Sequence, residues 1–343
     1  MDKFREIRAY HTAGLVYVTD YLFVLPFLHR LVRKQTKGLK LDYLQLPGKT
    51  PKESRKAIEH DIRHGAFYMS NHRDIVMDAA FLGRLIIPRY CQHPYIGIGN
   101  NLFGKWWIEP LCRHLRTFVV KRNGTPHELM HNSQLLSEYI LHLRKRRKSI
   151  WMAQREGRAK DSNDRTQPSV LKMLTLSAET NSEVIDQLKV LNICPVSLNY
   201  EYDPCDYLKA AEMQLKRDNP KWRKSKRDDI ISMKTGIFGY KGHVVFRMTP
   251  SINPWLDAHR EELIALPKND MLRLIAEQID QQIFLGYEMF DRGTEFDAYI
   301  NSRIALIDIP NKDEAFLREK LLEMYNFPVK NHAEAVECLK LNV

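Results

Sequence analysis

The sequence contains few cysteines, and their spacing matches neither a disulfide framework nor a metal-binding motif. Its five cysteines are widely separated, and no Cys-x-x-Cys pair or paired histidine spacing occurs among its 343 residues. An odd, dispersed set argues against a disulfide framework and is typical of a reducing compartment. No metal site is predicted, because structural zinc sites need closely spaced ligand pairs. The chain also lacks a Gly-x-Ser-x-Gly motif, so we expect no serine nucleophile of that kind.

An uninterrupted apolar run that would span a bilayer is missing as well. The stretch 9–28 has about the right length, but Asp20 lies in its middle and Pro26 near its end. An acidic residue at the centre of a spanning helix costs roughly 2.5–3.5 kcal/mol. Mixed charges before the stretch and the lack of a small-residue cleavage site after it argue against a secretory signal.

Two interpretations of this N-terminal stretch stay open. Tyr10, Tyr17 and Tyr21, followed by the basic residues between Arg30 and Lys34, favour a helix that lies within a membrane interface. The alternative is a helix whose apolar face packs on the protein core, since that also requires a large apolar face. We therefore predict a hydrophobic helical segment at 1–50.

Acidic residues are in the minority. Lysine and arginine number 53 against 42 aspartate and glutamate, which gives a net charge of +11 and an isoelectric point near 9.3. We therefore expect a partner or substrate of negative charge. Two basic clusters, 144–148 and 221–227, are either solvated surface or sites that attract anionic lipid head groups. Nucleic acid is not expected as a partner, because no nucleic-acid motif or aromatic stacking platform accompanies the charge.

The distribution of apolar residues is that of an α/β protein. Hydrophobic residues make up 44% of the chain, enough for a buried core. Short apolar runs alternate with longer mixed segments and predict strands at 66–70, 95–98, 118–121, 150–154, 193–199 and 243–248, and helices at 75–85, 128–145 and 168–180. We predict an α/β domain at 51–253 and a C-terminal helical extension at 254–343.

The most informative segment joins the first of these strands to the following helix. His72 lies just after strand 66–70, at the carboxyl end where open α/β folds place their sites. A histidine there can act as a general base near neutral pH if a carboxylate fixes its tautomer and stabilises the imidazolium. Asp74 and Asp78 are the nearby candidates for that carboxylate. Asp74 is also suited to cap the helix that follows.

Three further blocks follow this histidine in order along the chain. They are a glycine-containing stretch at 99–104, which includes Asn101, before an apolar strand that ends at Arg122; a strand followed by Arg155, Glu156, Gly157 and Arg158; and a strand that contains Pro195 and Val196 and ends in Tyr200 and Glu201. Together with Asn71, His72 and Asp78, these blocks resemble the motifs of the glycerolipid acyltransferase superfamily. That superfamily includes glycerol-3-phosphate and 1-acylglycerol-3-phosphate acyltransferases.

The first block departs from the family by one residue. Residues 73–77 separate His72 from Asp78, whereas four residues usually lie between the histidine and the aspartate. The departure leaves both Asp78 and Asp74 as candidate partners of His72. We favour Asp78, because a slightly wider turn would restore the geometry.

The resemblance also implies roles for the residues of the other blocks. Arg122 would contact a phosphate of the acceptor, which suits a guanidinium that can donate two parallel hydrogen bonds. Glu156 and Gly157 match the third block, where Arg155 replaces an apolar residue and Arg158 lies one position closer than in many members. These residues form a basic cluster for an anionic acceptor. Asn71 and Asn101 are further site candidates.

The fold that the resemblance implies is a single mixed-sheet α/β acyltransferase domain flanked by helices. The implied reaction transfers a fatty acyl group from acyl-CoA or acyl carrier protein to a hydroxyl of glycerol 3-phosphate or 1-acylglycerol 3-phosphate in phospholipid synthesis. Because a thioester is already activated, no metal or redox cofactor is expected. A lipid product implies a phospholipid membrane surface as partner, and hence a peripheral or monotopic protein on the cytoplasmic face.

Two alternatives to this function stay open. In the first, an acyltransferase of the same fold acts on another lipid acceptor, such as a lysophospholipid or an amine-bearing lipid. In the second, the wider spacing between His72 and Asp78 makes the chain a catalytically inactive, basic membrane-binding protein.

Overall fold

The computed structural model describes residues 3–10, 14–103, 106 and 108–341. Within these residues the strands are β1 Gly38–Tyr43, β2 Phe67–Ser70, β3 Tyr95–Gly99, β4 Thr117–Val120, β5 Ile150–Ala153, β6 Ile193–Tyr200 and β7 His243–Met248. They form a single seven-stranded sheet in the order β1-β7-β6-β2-β5-β3-β4.

Helices precede, connect and follow these strands. They are α1 Leu15–Thr19, a π-helical turn Asp20–Val24, α2 Leu25–Gln35, α3 Pro51–Arg63, α4 Met77–Tyr90, a 3₁₀ turn Asn100–Leu102, α5 Ile108–His114, α6 Pro126–Lys145, α7 Pro168–Leu174, α8 Asn181–Leu191, α9 Asp206–Asp218, α10 Lys226–Phe238, α11 Asn253–Ala258, α12 Arg260–Ala265, α13 Lys268–Leu285, α14 Phe296–Ala305 and α15 Glu314–Leu341.

The strand directions define which edge of the sheet carries the site. The central strand β2 is parallel to β5 and β6, with Ser70 opposite Ala153 and Val196, and β3 is parallel to β4 and β5. Strand β7 is antiparallel to β6, and β1 is parallel to β7. The carboxyl ends of β2 to β6 therefore meet at one edge, where open α/β sheets bind their ligands.

Both faces of the sheet are covered, which explains why β2 is buried along its whole length. Successive side chains of a strand point to opposite faces. Phe67 and Met69 pack in a core with helices α6, α7, α8 and α13, whereas Tyr68 packs in a second core with α2, α3 and α4. A smaller third core joins α9, α14 and α15.

The predicted fold class is confirmed: the protein is α/β, with one mixed sheet, an N-terminal apolar helix and C-terminal helices. The six predicted strands are present within one or two residues of their predicted ends. Strand β1 was not predicted, and it lies in the predicted N-terminal segment 1–50 although it belongs to the sheet. The boundaries 1–50, 51–253 and 254–343 stay predictions.

One helix prediction is wrong in its second half. The helix predicted at 168–180 ends at Leu174, and a separate helix, α8, begins at Asn181. The reason is local: the Thr180 hydroxyl accepts from the backbone of Glu183, while the Glu183 side chain caps the backbone of Thr180. Such a capping box fixes a helix start at this point.

The N-terminal helix, Leu15–Gln35, is the one helix among the described residues that is long and apolar enough to cross a membrane, judged by length and composition only. Its 21 residues have a mean hydropathy of 1.4 in the most apolar window. Leu28 and Leu31 are buried in the core, whereas Leu22 and Phe23 are exposed. The buried face packs on the core, as the second interpretation expects, whereas the membrane-interface interpretation stays a prediction for the exposed face. Residues 11–13 of the predicted stretch lie outside the described residues.

Candidate active site

A cavity of about 640 Å³ lies at the carboxyl edge of the sheet. The turn after β2 contributes His72, the end of β4 contributes Arg122, and the loop after β5 contributes Arg155, Glu156 and Arg158 to its lining. The parallel arrangement of these strands explains why residues so distant in sequence share one cavity.

His72 and Asp78 are in direct contact at one side of this cavity. His72 Nδ1 lies 2.8 Å from Asp78 Oδ2, and the Asp78 side chain is completely buried. Because an ionised carboxylate only accepts hydrogen bonds, Nδ1 carries the proton. The other ring nitrogen, Nε2, is then the one that can accept a proton from a substrate. The His72 and Trp151 rings lie at a steep angle to each other, with 6.0 Å between ring centroids.

Backbone and side-chain donors hold the Asp78 carboxylate in place. The backbone N–H groups of Arg73 and Asp74 donate to Oδ2 at 2.8 and 3.0 Å. The Tyr200 hydroxyl donates to Oδ1 at 2.9 Å. Tyr200 ends the fourth sequence block, but nothing in its sequence position indicated that it would bond to Asp78. These donors fix the orientation of the carboxylate that orients His72.

Asp74, the other candidate partner, has a different set of contacts. Its Oδ1 accepts from the backbone N–H groups of Val76 and Met77, both at 2.8 Å. These bonds cap the start of α4. Burial, together with the nearby Asp78 carboxylate, raises the pKa of Asp74 above its ordinary value. The carboxylate that contacts the imidazole is therefore that of Asp78.

Asn71 is a buried anchor for the histidine turn. Its amide Nδ2 donates to the carbonyl of Leu198 at 3.0 Å, and its Oδ1 accepts from the Leu198 N–H at 2.7 Å. This pair of bonds ties the turn to the backbone of β6. The structure does not describe the side chain of Asn101, another site candidate. Residue Gly104 of the same sequence block also lies outside the described residues.

Arg122 lies at the other side of the cavity. Its backbone N–H donates to Asn100 Oδ1 at 3.1 Å, and its guanidinium lies 3.4 Å from the Glu156 carboxylate. The Arg122 side chain is 35% exposed and that of Glu156 is 70% exposed. An ion pair this exposed is weak, so an anionic ligand can compete with Glu156 for the guanidinium.

The loop after β5 brings two more guanidinium groups to the cavity. Gly157 makes the turn possible, because its φ of +70° is one that other residues rarely adopt. Arg155 Nε and Arg158 Nη1 are buried, and neither has a hydrogen-bond partner among the described residues. Buried donors are normally paired, so these two groups are suited to bind an anion.

A buried ion pair that the sequence did not indicate joins the histidine turn to this loop. Arg73 Nη2 lies 2.7 Å from Asp164 Oδ2, and the Tyr287 hydroxyl donates to the same oxygen at 2.9 Å. The three residues come from the turn after β2, the loop after β5 and the segment after α13. Sequence periodicity carries no signal for such a contact, because the partners are far apart in the chain.

The described residues contain no group of three or more His, Cys, Asp or Glu side chains arranged to hold a metal ion. The polar groups of the cavity are instead an imidazole, guanidinium groups, ammonium groups and a few carboxylates. This set is suited to proton transfer next to a bound anion.

Comparison with known proteins identifies the class of enzyme. A family model described as Acyltransferase matches residues 49–182, which include the histidine turn, Arg122 and the loop after β5. A search of curated proteins finds no match. The protein is an acyltransferase, and this supports an enzyme over an inactive binding protein. The matched region is similar to the glycerolipid acyltransferase family, and this supports a lipid acyltransferase.

Proposed function

We propose that this enzyme transfers a fatty acyl group from acyl-CoA or acyl carrier protein to a hydroxyl of glycerol 3-phosphate or 1-acylglycerol 3-phosphate in phospholipid synthesis. One observation carries the proposal: His72, bonded to Asp78, lines the same cavity as Arg122. A general base and a phosphate-binding group in one cavity are what the acylation of a phosphorylated alcohol requires.

The mechanism is a direct transfer with His72 as the general base. Nε2 takes the proton of the acceptor hydroxyl, and the oxygen attacks the carbonyl carbon of the thioester. The carbon–sulfur bond breaks, and the imidazolium gives its proton to the departing thiolate. Asp78 stabilises the imidazolium while it exists. General-base action of this kind contributes roughly 10²- to 10⁴-fold to a rate.

The charge of the cavity supports a phosphorylated acceptor. Its basic lining residues outnumber its acidic ones: Lys121, Arg122, Arg155, Arg158, Lys160 and Lys224 against Glu156, Glu212 and Asp229. The exposed ion pair between Arg122 and Glu156 releases the guanidinium to a phosphate more readily than a buried pair would. Arg155 and Arg158 offer the additional donors described above.

The cavity lining also includes apolar side chains, which suit a fatty acyl chain. Its lining includes Ile98, Leu102, Val120, Met152, Val170 and Met173. These side chains come from the strands and helices next to the loop that carries Arg155. The cavity thus offers apolar contacts to an acyl chain and basic groups to a phosphate, and the thioester itself needs no metal or redox cofactor.

The enzyme acts as a peripheral or monotopic protein on the cytoplasmic face of a membrane. Leu22, Phe23 and Phe27 are exposed on the N-terminal helix, and its basic end suits anionic head groups. Asp20, by contrast, is buried in contact with His93 Nδ1. This contact keeps the acidic side chain on the protein and supports a helix that lies on the membrane rather than across it.

An assay with purified enzyme and labelled acyl thioesters tests the proposed substrates. The acceptor panel contains glycerol 3-phosphate, 1-acylglycerol 3-phosphate, glycerol, a lysophospholipid whose phosphate carries a further head group, and an amine-bearing lipid. We expect ester product from one or both phosphorylated glycerols and little from glycerol. Preferred transfer to the lysophospholipid or the amine-bearing lipid would contradict the proposed acceptor, and transfer to none of them would contradict the proposed function.

A further inference from the structure

Helix α10 lies directly on the catalytic turn. Ser232 and Gly236 form its buried face. A Cβ added to Gly236 would lie 1.9 Å from Asp74 Oδ2, so no side chain fits between this helix and the turn that carries His72. Any surface that binds the outer side of α10 is therefore one helix diameter from the catalytic residues.

The outer side of α10 combines apolar and basic residues. Five exposed residues lie on the side of the helix opposite Ser232 and Gly236, as their spacing along the helix shows. They are Arg227, Ile230, Ile231, Lys234 and Phe238. Ile230 is 45% exposed and Phe238 is 57% exposed. A helix face that carries large apolar side chains next to basic ones is typical of a helix bound to an anionic membrane surface.

The position of α10 connects the cavity to the N-terminal helix. At one end, Lys224 and Asp229 line the cavity. At the other end, the Lys241 N–H donates to the carbonyl of Gln35, the last residue of α2, at 2.8 Å. Between them, Ile237 packs against the core cluster that contains Leu28 of α2. The outer face of α10 thus begins beside the cavity and ends beside α2.

We propose that the outer face of α10 is a second membrane-binding surface, which binds an anionic phospholipid bilayer. This inference rests on the proposed lipid substrates and extends the membrane contact beyond the N-terminal helix. Charge complementarity supports the choice of occupant, because Lys221, Arg223 and Lys226 are exposed next to the same face. Binding there holds the cavity at the bilayer, so that a lipid reaches His72 without leaving the membrane entirely.

Vesicle binding tests this proposal on the full chain. Co-sedimentation is measured with phosphatidylcholine vesicles and with equimolar phosphatidylcholine and phosphatidylglycerol vesicles. The apolar variant is Ile230→Glu with Phe238→Glu, and the charge variant is Arg227→Glu with Lys234→Glu. The matched control is Leu306→Glu with Val329→Glu, which changes two exposed apolar residues, one directly after α14 and one in α15.

We expect the apolar variant to bind anionic vesicles at least about tenfold more weakly than the wild type and the control. The charge variant should lose about tenfold or more on anionic vesicles and little on neutral ones. Binding of both α10 variants within about twofold of the wild type would overturn the proposal. So would a concentration-dependent dimer that Phe238→Glu abolishes while vesicle binding is kept, because the face would then belong to a second copy of the chain.

A second assay separates this inference from the proposed function. Acyl transfer is measured without vesicles, with a short-chain soluble thioester and, in separate reactions, glycerol 3-phosphate and a short-chain 1-acylglycerol 3-phosphate. We expect both α10 variants to keep the wild-type rate, because none of the four residues lines the active-site cavity. A wild type that transfers nothing under these conditions contradicts the proposed function, whatever the vesicle assay gives. Loss of transfer by the variants alone contradicts a surface role for this face.

Discussion

The Tyr200 hydroxyl donates a hydrogen bond of 2.9 Å to Asp78 Oδ1, while His72 contacts the other oxygen, Oδ2, at 2.8 Å. Tyr200 and Asp78 are both buried. The carboxylate is therefore held from both sides, by a phenol that comes from β6 and by the imidazole that it orients. A fixed second partner of this kind reduces the freedom of the catalytic pair.

Tyr200→Phe tests whether the phenol positions the pair. Loss of one hydrogen bond of about 1 kcal/mol should lower kcat roughly five- to tenfold with little change in KM. Tyr240→Phe, at an exposed tyrosine, is the control. An unchanged kcat for Tyr200→Phe would remove the positioning role.

Asp78→Asn and Asp74→Asn distinguish the two carboxylates near His72. We expect Asp78→Asn to lower kcat by about 10³-fold or more, because the amide cannot stabilise the imidazolium charge. Asp74→Asn should keep kcat within about tenfold, since its oxygen can still accept from the backbone of Val76 and Met77. Steady-state kinetics and circular dichroism of the folded variants provide the comparison. A larger loss of kcat in Asp74→Asn than in Asp78→Asn would show that Asp78 is not the catalytic partner of His72.

Arg122→Ala tests the phosphate site. Charge-assisted hydrogen bonds contribute roughly 1.5–3 kcal/mol each, so the KM for the phosphorylated acceptor should rise about 10- to 100-fold. The KM for the acyl thioester should stay near the wild-type value. Arg273→Ala removes an exposed arginine of α13 and serves as the control. Equal increases in both KM values would indicate a general disturbance of the cavity instead of a phosphate contact.

Asp280 makes stability depend on pH. Its carboxylate accepts from the Thr166 backbone N–H at 2.8 Å and from the Thr166 hydroxyl. Burial raises the pKa of Asp280 from 3.8 to about 7. Between these values the folded protein keeps a proton that the unfolded chain releases. The free energy of unfolding should therefore decrease as pH rises from about 4 to about 7.

Asp280→Asn removes this dependence, because the amide oxygen still accepts from Thr166 and never ionises. We expect the variant and the wild type to be similar near pH 4 and the variant to be more stable at pH 8, by an amount on the order of 3 kcal/mol. Urea denaturation at both pH values gives the two differences. Asp270→Asn, at an exposed aspartate of the same helix, should show none. A constant difference between Asp280→Asn and the wild type would contradict the raised pKa.

Much of the sheet was predictable because its strands are short apolar runs, and His72, Arg122 and Arg155 follow the ends of such runs. Three helices that the apolar pattern did not predict carry another local signal. Helices α3, α8 and α10 each begin with a capping box, at Thr50, Thr180 and Ser225. A search for a hydroxyl residue followed three positions later by an acidic one would have found these helix starts.

The contacts within the site were not predictable in the same way. The spacing of Asp74 and Asp78 from His72 left both as partners, and only the path of the turn decides between them. Tyr200 and Asp164 reach the site through the order of the strands and the loop after β5. Such contacts depend on tertiary packing, which neither periodicity nor spacing encodes.

The single-turnover rate of acyl transfer by His72→Ala, at saturating thioester and acceptor, measures whether His72 is the general base. We expect a rate at least about 10²-fold below that of the wild type, with unchanged binding of both substrates and an unchanged melting temperature. A folded His72→Ala enzyme that transfers the acyl group within about threefold of the wild-type rate would contradict the claim that His72 activates the acceptor hydroxyl.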